Sequence, residues 1–338
     1  MTTPYSLSDA ISSFFAENTT VTRQQCDDFA LSRVGGRVNP VQIQGAFSYT
    51  FTAGTDESKL FQFRTHDSEL DTSILNLAKI VHPQFVAGYK YHGTIGESRP
   101  LHIYEMDKLP GTTYIMARDI SAVQPPDAQL RQRNTATDLA KFFAQSWNHG
   151  QRLHPDEAGA LLVEFRDRFD LLSRYLPSRF ALNLDKVRKE LPLLFSETFP
   201  LVLSHQDLCE MNILIHPETG SITGIVDWAE ARILPFGFSL WGFENILGYM
   251  NSAGWHYYDN RRELEDVFWR TFLTEADNPS DDDLRLIRVA RMAGLFCRYG
   301  FVLDGKDWKD VVDESDSSSL AYLDAFCTHD DWMPHNMN

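Results

Sequence analysis

The sequence predicts an α+β fold in two parts, an antiparallel β-rich amino-terminal part and a mainly helical carboxy-terminal part. Three observations carry this expectation. Short runs of β-branched and aromatic residues separated by turn residues crowd into the chain before residue 107. The segment Asp107-Lys108-Leu109-Pro110-Gly111 then interrupts regular structure and reads as a hinge. From about Asp127 the apolar residues recur at helical spacing, first Leu139, Phe142, Phe143 and Trp147, then Leu161, Leu162, Phe165, Phe169 and Leu172. The expected division is therefore 1–106 and 107–338.

Taken in order, the first 34 residues or so read as helical, with Cys26, Phe29, Ala30 and Val34 on one face, until Gly35-Gly36 breaks the pattern. Val41 to Thr52 reads as a strand, a turn at Gly45 and a second strand, and Lys59 to Arg64 as a third. Asp71 is a candidate cap for a helix carrying Ile74, Leu75, Ala78 and Val81, which Pro83 ends. Strand-like runs follow at Phe85 to His92 and Leu101 to Met106. Within the helical part, a short β-like insertion surrounds residues 201–228. After Pro235-Phe236-Gly237 helical patterns are expected through Phe326, and the polar residues His329 to Asn338 are expected to fray.

Composition narrows the function classes. A chain of 338 residues with 43% apolar character can bury a sizeable core. Acidic residues outnumber basic ones by 47 to 31, for a net charge of −16, and no basic run is present to track a phosphate backbone, which argues against a nucleic-acid partner. The acidic balance suits an amine-bearing ligand and equally suits a surface that is simply well solvated. The amino terminus lacks the cationic and apolar blocks of a signal peptide, and no apolar run approaches the ~20 residues that span a bilayer. Four scattered cysteines with no CxxC fit a reducing, cytoplasmic setting. The oligomeric state stays open.

The stretch with most chemical content is Ser204-His205-Gln206-Asp207-Leu208-Cys209-Glu210-Met211-Asn212-Ile213-Leu214-Ile215, followed by Gly224-Ile225-Val226-Asp227-Trp228. Phosphoryl transfer needs a carboxylate to accept a hydroxyl proton, then an amide and a second carboxylate to hold magnesium on the phosphates. Asp207, Asn212 and Asp227 supply those three groups. Each alone has an ordinary reading: Asp207 as an Asx-turn residue, Asn212 as a turn residue, Asp227 as a strand-end cap. HxDxxxxN with an apolar-Asp-Trp downstream is far more restrictive than any one of them. His205 and Asp207 with a distant His216 or His256 also spell the facial triad of a non-haem Fe(II) oxygenase, a reading that requires regular alternating strands around the motif.

The strings QGAFSYTF, FQFR, DLAKFFAQSWN, HQDLCEMNILI, TGIVDWAEA and LPFGFSLWG make the chain resemble the aminoglycoside phosphotransferase family and its choline-kinase-like relatives, within the protein-kinase-like fold. They look like the phosphotransferase-domain proteins common in filamentous fungi. The resemblance runs from about Gln44 to Gly248 and is strongest from Leu201. Carried over position by position, it implies ATP and Mg2+ as cofactors, Asp207 as catalytic base, His205 as brace of the catalytic loop, and Asn212 and Asp227 as metal ligands. It implies that Glu105 and Met106, with Tyr104, present backbone groups to adenine, and that the acceptor is a small molecule.

In the amino-terminal part, Gly45 and Ser48 are the candidates for the approach to the phosphates, although a single Gly in a hairpin is more often a turn residue. Kinases pair a strand Lys with a helix Glu. Here the strand ends Gln62-Phe63-Arg64, so either Arg64 or Gln62 substitutes for the lysine or the contact is missing, and Ser73 stands where the glutamate is expected. Three readings remain open: a kinase with an arginine clamp, a nucleotide-binding pseudokinase, and a kinase-like scaffold put to other use. Trp228, Glu230 and Glu244 are the substrate candidates, since aromatic and acidic groups together hold an amine; core packing is the competing role for the aromatics.

Overall fold

The computed structural model describes residues 5–118, 125–277, 279–304 and 307–327, leaving aside the side chains of 303–309. The expected frayed tail, His329 to Asn338, lies outside them. The chain divides into two compact units, one of residues 1–79 and 86–110, the other of residues 80–85 and 111–338.

The first unit begins with α1 (Leu7–Asn18) and α2 (Arg23–Val34), in the stretch expected to be helical. The break lies at Thr19 to Thr22, because Thr22 caps α2 with a reciprocal bond to Gln25 and so starts a new helix. Then come β1 (Arg37–Pro40), β2 (Ser48–Gly54), β3 (Lys59–Thr65), α3 (Thr72–Val81), β4 (Tyr89–Ile95) and β5 (Leu101–Asp107). The strands form one antiparallel sheet in the order β1-β2-β3-β5-β4. Alternation puts Tyr49, Phe51, Ala53, Phe61, Phe63, Leu101 and Ile103 on the face that packs with Ile11, Phe14, Cys26 and Ala30 of the two helices. Each large side chain buried there contributes about 1.5–3 kcal/mol.

Two expectations are corrected here. Val41 to Phe47 is a loop rather than a strand and tight turn, because the Gln44 amide bonds Val41 O and Thr50 O and its carbonyl accepts from Thr50 N, occupying groups a ladder would use. The strand expected from Phe85 starts only at Tyr89.

The second unit, after β6 (Thr112–Thr113) and α4 (Tyr114–Ala117), contains α5 (Pro126–Asn148), α6 (Pro155–Tyr175) and α7 (Ala181–Leu194). The insertion follows as β7 (Leu201–Ser204), β8 (Ile213–Ile215), β9 (Ile222–Ile225) and β10 (Arg232–Pro235), with β7 paired to β10 and β8 lying between β6 and β9. Next are α8 (Trp241–Glu244), the hairpin β11 (Gly248–Asn251) and β12 (Gly254–Tyr257), α9 (Arg261–Glu275), α10 (Asp281–Tyr299), the hairpin β13 (Phe301–Asp304) and β14 (Asp307–Val311), and α11 (Ser317–Cys327).

The helical pattern expected after Pro235 thus holds except where these two hairpins interrupt it. The first turns at Asn251, whose carboxamide oxygen accepts from Ala253 N at 2.7 Å, and at Gly254, whose φ of 116° only glycine adopts readily. Gly294 lets α10 lie against the Phe238 backbone, since a Cβ there would fall 2.1 Å from Phe238 O. Among the described residues no helix is long and apolar enough to cross a membrane.

Candidate active site

The loop between β7 and β8 that carries the HxDxxxxN motif is held by a closed circuit of hydrogen bonds. His205, 2% exposed, accepts from Asp207 N at Nδ1 (3.2 Å) and pairs through Nε2 with Val226 O (2.9 Å). Val226 N donates to Asn212 O at 3.0 Å, and Asn212 Nδ2 donates to Asp207 O at 2.7 Å and to Asp207 Oδ2 at 2.8 Å. The circuit closes on Asp207. Burial pushes the His205 pKa below its ordinary value, which keeps the ring neutral, with one nitrogen accepting and the other donating as the circuit requires.

With both ring nitrogens committed to the backbone, His205 has no lone pair to offer a metal. The iron-site reading fails on this residue. His216 also points elsewhere, accepting from Glu218 N, and His256 pairs with Asn251 in the hairpin.

Asp227 follows β9 with φ 62° and ψ 66°, a left-handed conformation that costs a non-glycine residue about 1–3 kcal/mol. Its side chain is exposed. Trp228 holds the strained turn from beneath: its indole N–H donates to Ile225 O at 2.9 Å, and its buried ring meets His205 edge-on at 4.7 Å between centroids.

Arg298, in the last turn of α10, was not singled out from the sequence. Its Nη2 lies 2.9 Å from Asp207 Oδ1, and its guanidinium sits over the Trp241 ring at 4.6 Å. Both oxygens of Asp207 are thereby oriented, one by Asn212 and one by Arg298. Three residues after Asp207, Glu210 pairs with Arg118 at 2.6 Å. An ion pair so distant in sequence leaves no local pattern, and only the abundance of arginine among apolar residues on α10 hinted at it.

The substrate candidates part company. Glu230 is exposed. Trp228 is buried against His82, Phe142 and His205, so it packs and orients rather than offering a face to a ligand. Glu244 is wholly buried, and its carboxylate accepts from Arg291 Nε at 2.9 Å, so it presents nothing to a ligand.

In the first unit, Ser48 and Arg64 are cross-strand partners, as are Thr50 and Gln62. Gln62 Nε2 reaches Ser48 Oγ at 3.3 Å, and Arg64 bonds Gln62 Oε1 at 3.2 Å and Ser68 O at 2.6 Å. Arg64 is thus buried and tied to its own sheet. Gly45 lies exposed in the β1–β2 loop. The strand holding Glu105 and Met106 is interior to the sheet, between β3 and β4, and the Glu105 carboxylate pairs with His92 at 2.8 Å.

His82 behind Trp228 yields a prediction. It is fully buried, with Nδ1 3.0 Å from Gln145 Oε1 and Nε2 3.2 Å from Ser146 Oγ, and burial pushes its pKa from 6.5 down to about 3. The unfolded chain therefore binds this proton near pH 6.5 and the folded chain does not. The neutral ring's contribution is intact above that pH and is lost as the pH falls toward 3, at about 1.4 kcal/mol per pH unit. Urea unfolding between pH 7 and pH 4 should show this slope, and His82→Gln should flatten it by roughly one proton; an unchanged slope in the variant would count against it.

The chain is a phosphotransferase. The model described as "Phosphotransferase enzyme family" matches residues 74–254, more than half of the sequence, and the chain belongs to that family. Solved structures similar to it include a macrolide 2'-phosphotransferase type I, at 14% identity, with 82% of this chain and 91% of that one covered and a TM-score of 0.48. A choline kinase from Cryptosporidium parvum Iowa II is 13% identical, covering 82% and 87%, with a TM-score of 0.47. A Plasmodium vivax ethanolamine kinase is 14% identical, covering 88% of each chain, with a TM-score of 0.46. No curated protein matches the sequence.

Proposed function

We propose that the protein transfers the γ-phosphoryl group of ATP, bound with Mg2+, to a hydroxyl of a small molecule. The observation that carries this reading is the circuit through His205, Val226, Asn212 and Asp207, which ties the HxDxxxxN loop to the turn bearing a strained, exposed Asp227. Non-glycine residues in left-handed conformations concentrate at functional sites, and here the strain aims a carboxylate.

In this reading Asp207 orients the acceptor hydroxyl and takes its proton, with its two oxygens fixed by Asn212 and Arg298. The donor set suits Mg2+. Both side-chain bonds of Asn212 use Nδ2, which leaves Oδ1 as a neutral oxygen for the metal, with Asp227 as the carboxylate of the set. Among the described residues no three His, Cys, Asp or Glu side chains gather into a cage. Magnesium is commonly held in this way, by one or two carboxylates with phosphates and water completing the shell. When bound, it would neutralise charge on the phosphates.

Gly45, Ser48, Arg64, Glu105 and Met106 are the nucleotide-side candidates of the first unit, with Arg64 acting through the Ser48–Gln62 network. Four free cysteines support a reducing, cytoplasmic location, and the net charge of −16 disfavours nucleic acid as a partner.

The test is thermal unfolding with Mg·ATP. At 100 times its dissociation constant the nucleotide should stabilise the protein by about 2.7 kcal/mol. Asp227→Asn, which tolerates the same backbone conformation, should keep the stability of the free protein and lose most of that gain. No stabilisation of the wild type by Mg·ATP would refute the reading.

A further inference from the structure

We infer that Arg298 is a positioning and discriminating residue, and that the acceptor carries no cationic group beside its reacting hydroxyl, being neutral or anionic there. The inference rests on the phosphotransfer reading above and names the acceptor class for the same site. Arg298 lies beyond the segment that matches the family, residues 74–254.

The argument is one of charge at short range. A hydroxyl delivered to Asp207 arrives next to a guanidinium whose Nη2 is 2.9 Å from the receiving carboxylate. This guanidinium is fixed: it rests on Trp241, a ring 1% exposed, and only 27% of its own side chain is open to solvent. A protonated amine on the carbon next to the one bearing the hydroxyl would face this charge at a few ångströms, where like charges repel.

Two carboxylates of this unit that could attract an amine are already taken. Glu210 is paired with Arg118 at 2.6 Å, and Glu244 is buried with Arg291. Tyr322 of α11 lies within electrostatic reach of Glu210, Arg118 and Arg298, and an acceptor's hydroxyl or carboxylate groups suit a surface that carries Arg298. Asp227 and Glu230 stay exposed, and in the phosphotransfer reading Asp227 is committed to the metal.

The experiment uses three small alcohols that differ in charge: choline, glycerol and D-glycerate. ADP formation from Mg·ATP above the rate with water alone is measured for wild type, Arg298→Lys and Arg298→Glu. Thermal unfolding of each variant and quenching of tryptophan fluorescence by each alcohol without nucleotide are measured alongside. The expected wild-type order in kcat/KM places glycerate or glycerol at least tenfold above choline. Arg298→Lys should keep that order and Arg298→Glu should reverse it, with fluorescence binding moving in the same sense.

Should Arg298→Glu fail to fold, Arg298→Gln should erase the discrimination without reversing it. Choline as the best acceptor, an order indifferent to the charge at position 298, or ATP hydrolysis that none of the three alcohols accelerates would each overturn the inference. No ADP with water or with any alcohol would instead refute the phosphotransfer reading, and the inference with it.

Discussion

Asp207→Asn is expected to lower kcat by about 10²–10⁴-fold while changing neither the fold nor the affinity for Mg·ATP appreciably. Asparagine has nearly the same shape and keeps a carbonyl oxygen for the Nδ2 group of Asn212, now 2.8 Å from the carboxylate. What it loses is the ability to take a proton and the charge facing Arg298. That ion pair is about 30% exposed on each side, so its loss should cost little stability. ADP formation, ligand-induced thermal shift and the unfolding curve of the free variant separate these effects. Turnover within a few-fold of wild type would remove Asp207 from the role of base.

Glu244→Ala should destabilise the protein by about 3–5 kcal/mol, because it leaves the buried Arg291 guanidinium without the carboxylate facing it. Glu244 is wholly buried and Arg291 is 3% exposed, so neither charge is rescued by water. For a chain of this size the loss corresponds to a fall in Tm on the order of 10 °C. Replacing both residues together by apolar side chains of similar volume should recover much of it, since the desolvation cost disappears along with the attraction. A Tm unchanged in Glu244→Ala would mean that the pair contributes nothing to stability. A ligand-contacting role for Glu244 predicts the opposite pattern, lost acceptor affinity with stability intact.

The structure of the HxDxxxxN loop was legible because its determinants are local. Asp207 and Asn212 are joined by a short turn, and the bonds between them follow from that spacing. Asp227 was legible for the same reason, at the end of an apolar run. The two-part character of the chain was also readable, since period-2 and period-3.6 patterns occupy different stretches. Less legible were the elements whose form depends on a side chain competing with the ladder, such as the loop shaped by Gln44, or on a tight turn inside an apolar pattern, such as the hairpin at Asn251 to Gly254. The status of Glu244 and Trp228 could not be read, because an acidic or aromatic residue looks the same in sequence whether it faces a ligand or the core.

By itself, then, the sequence determined the α+β class, the transfer loop and the residues proposed as base and metal ligands, all properties of neighbours along the chain. Tertiary structure alone decided how charge is distributed around that loop. Arg298 meets Asp207, Arg118 meets Glu210 and Arg291 meets Glu244 only after helices distant in sequence pack together. Coulomb energy depends on separation in space and on burial, and neither is written in the order of the residues.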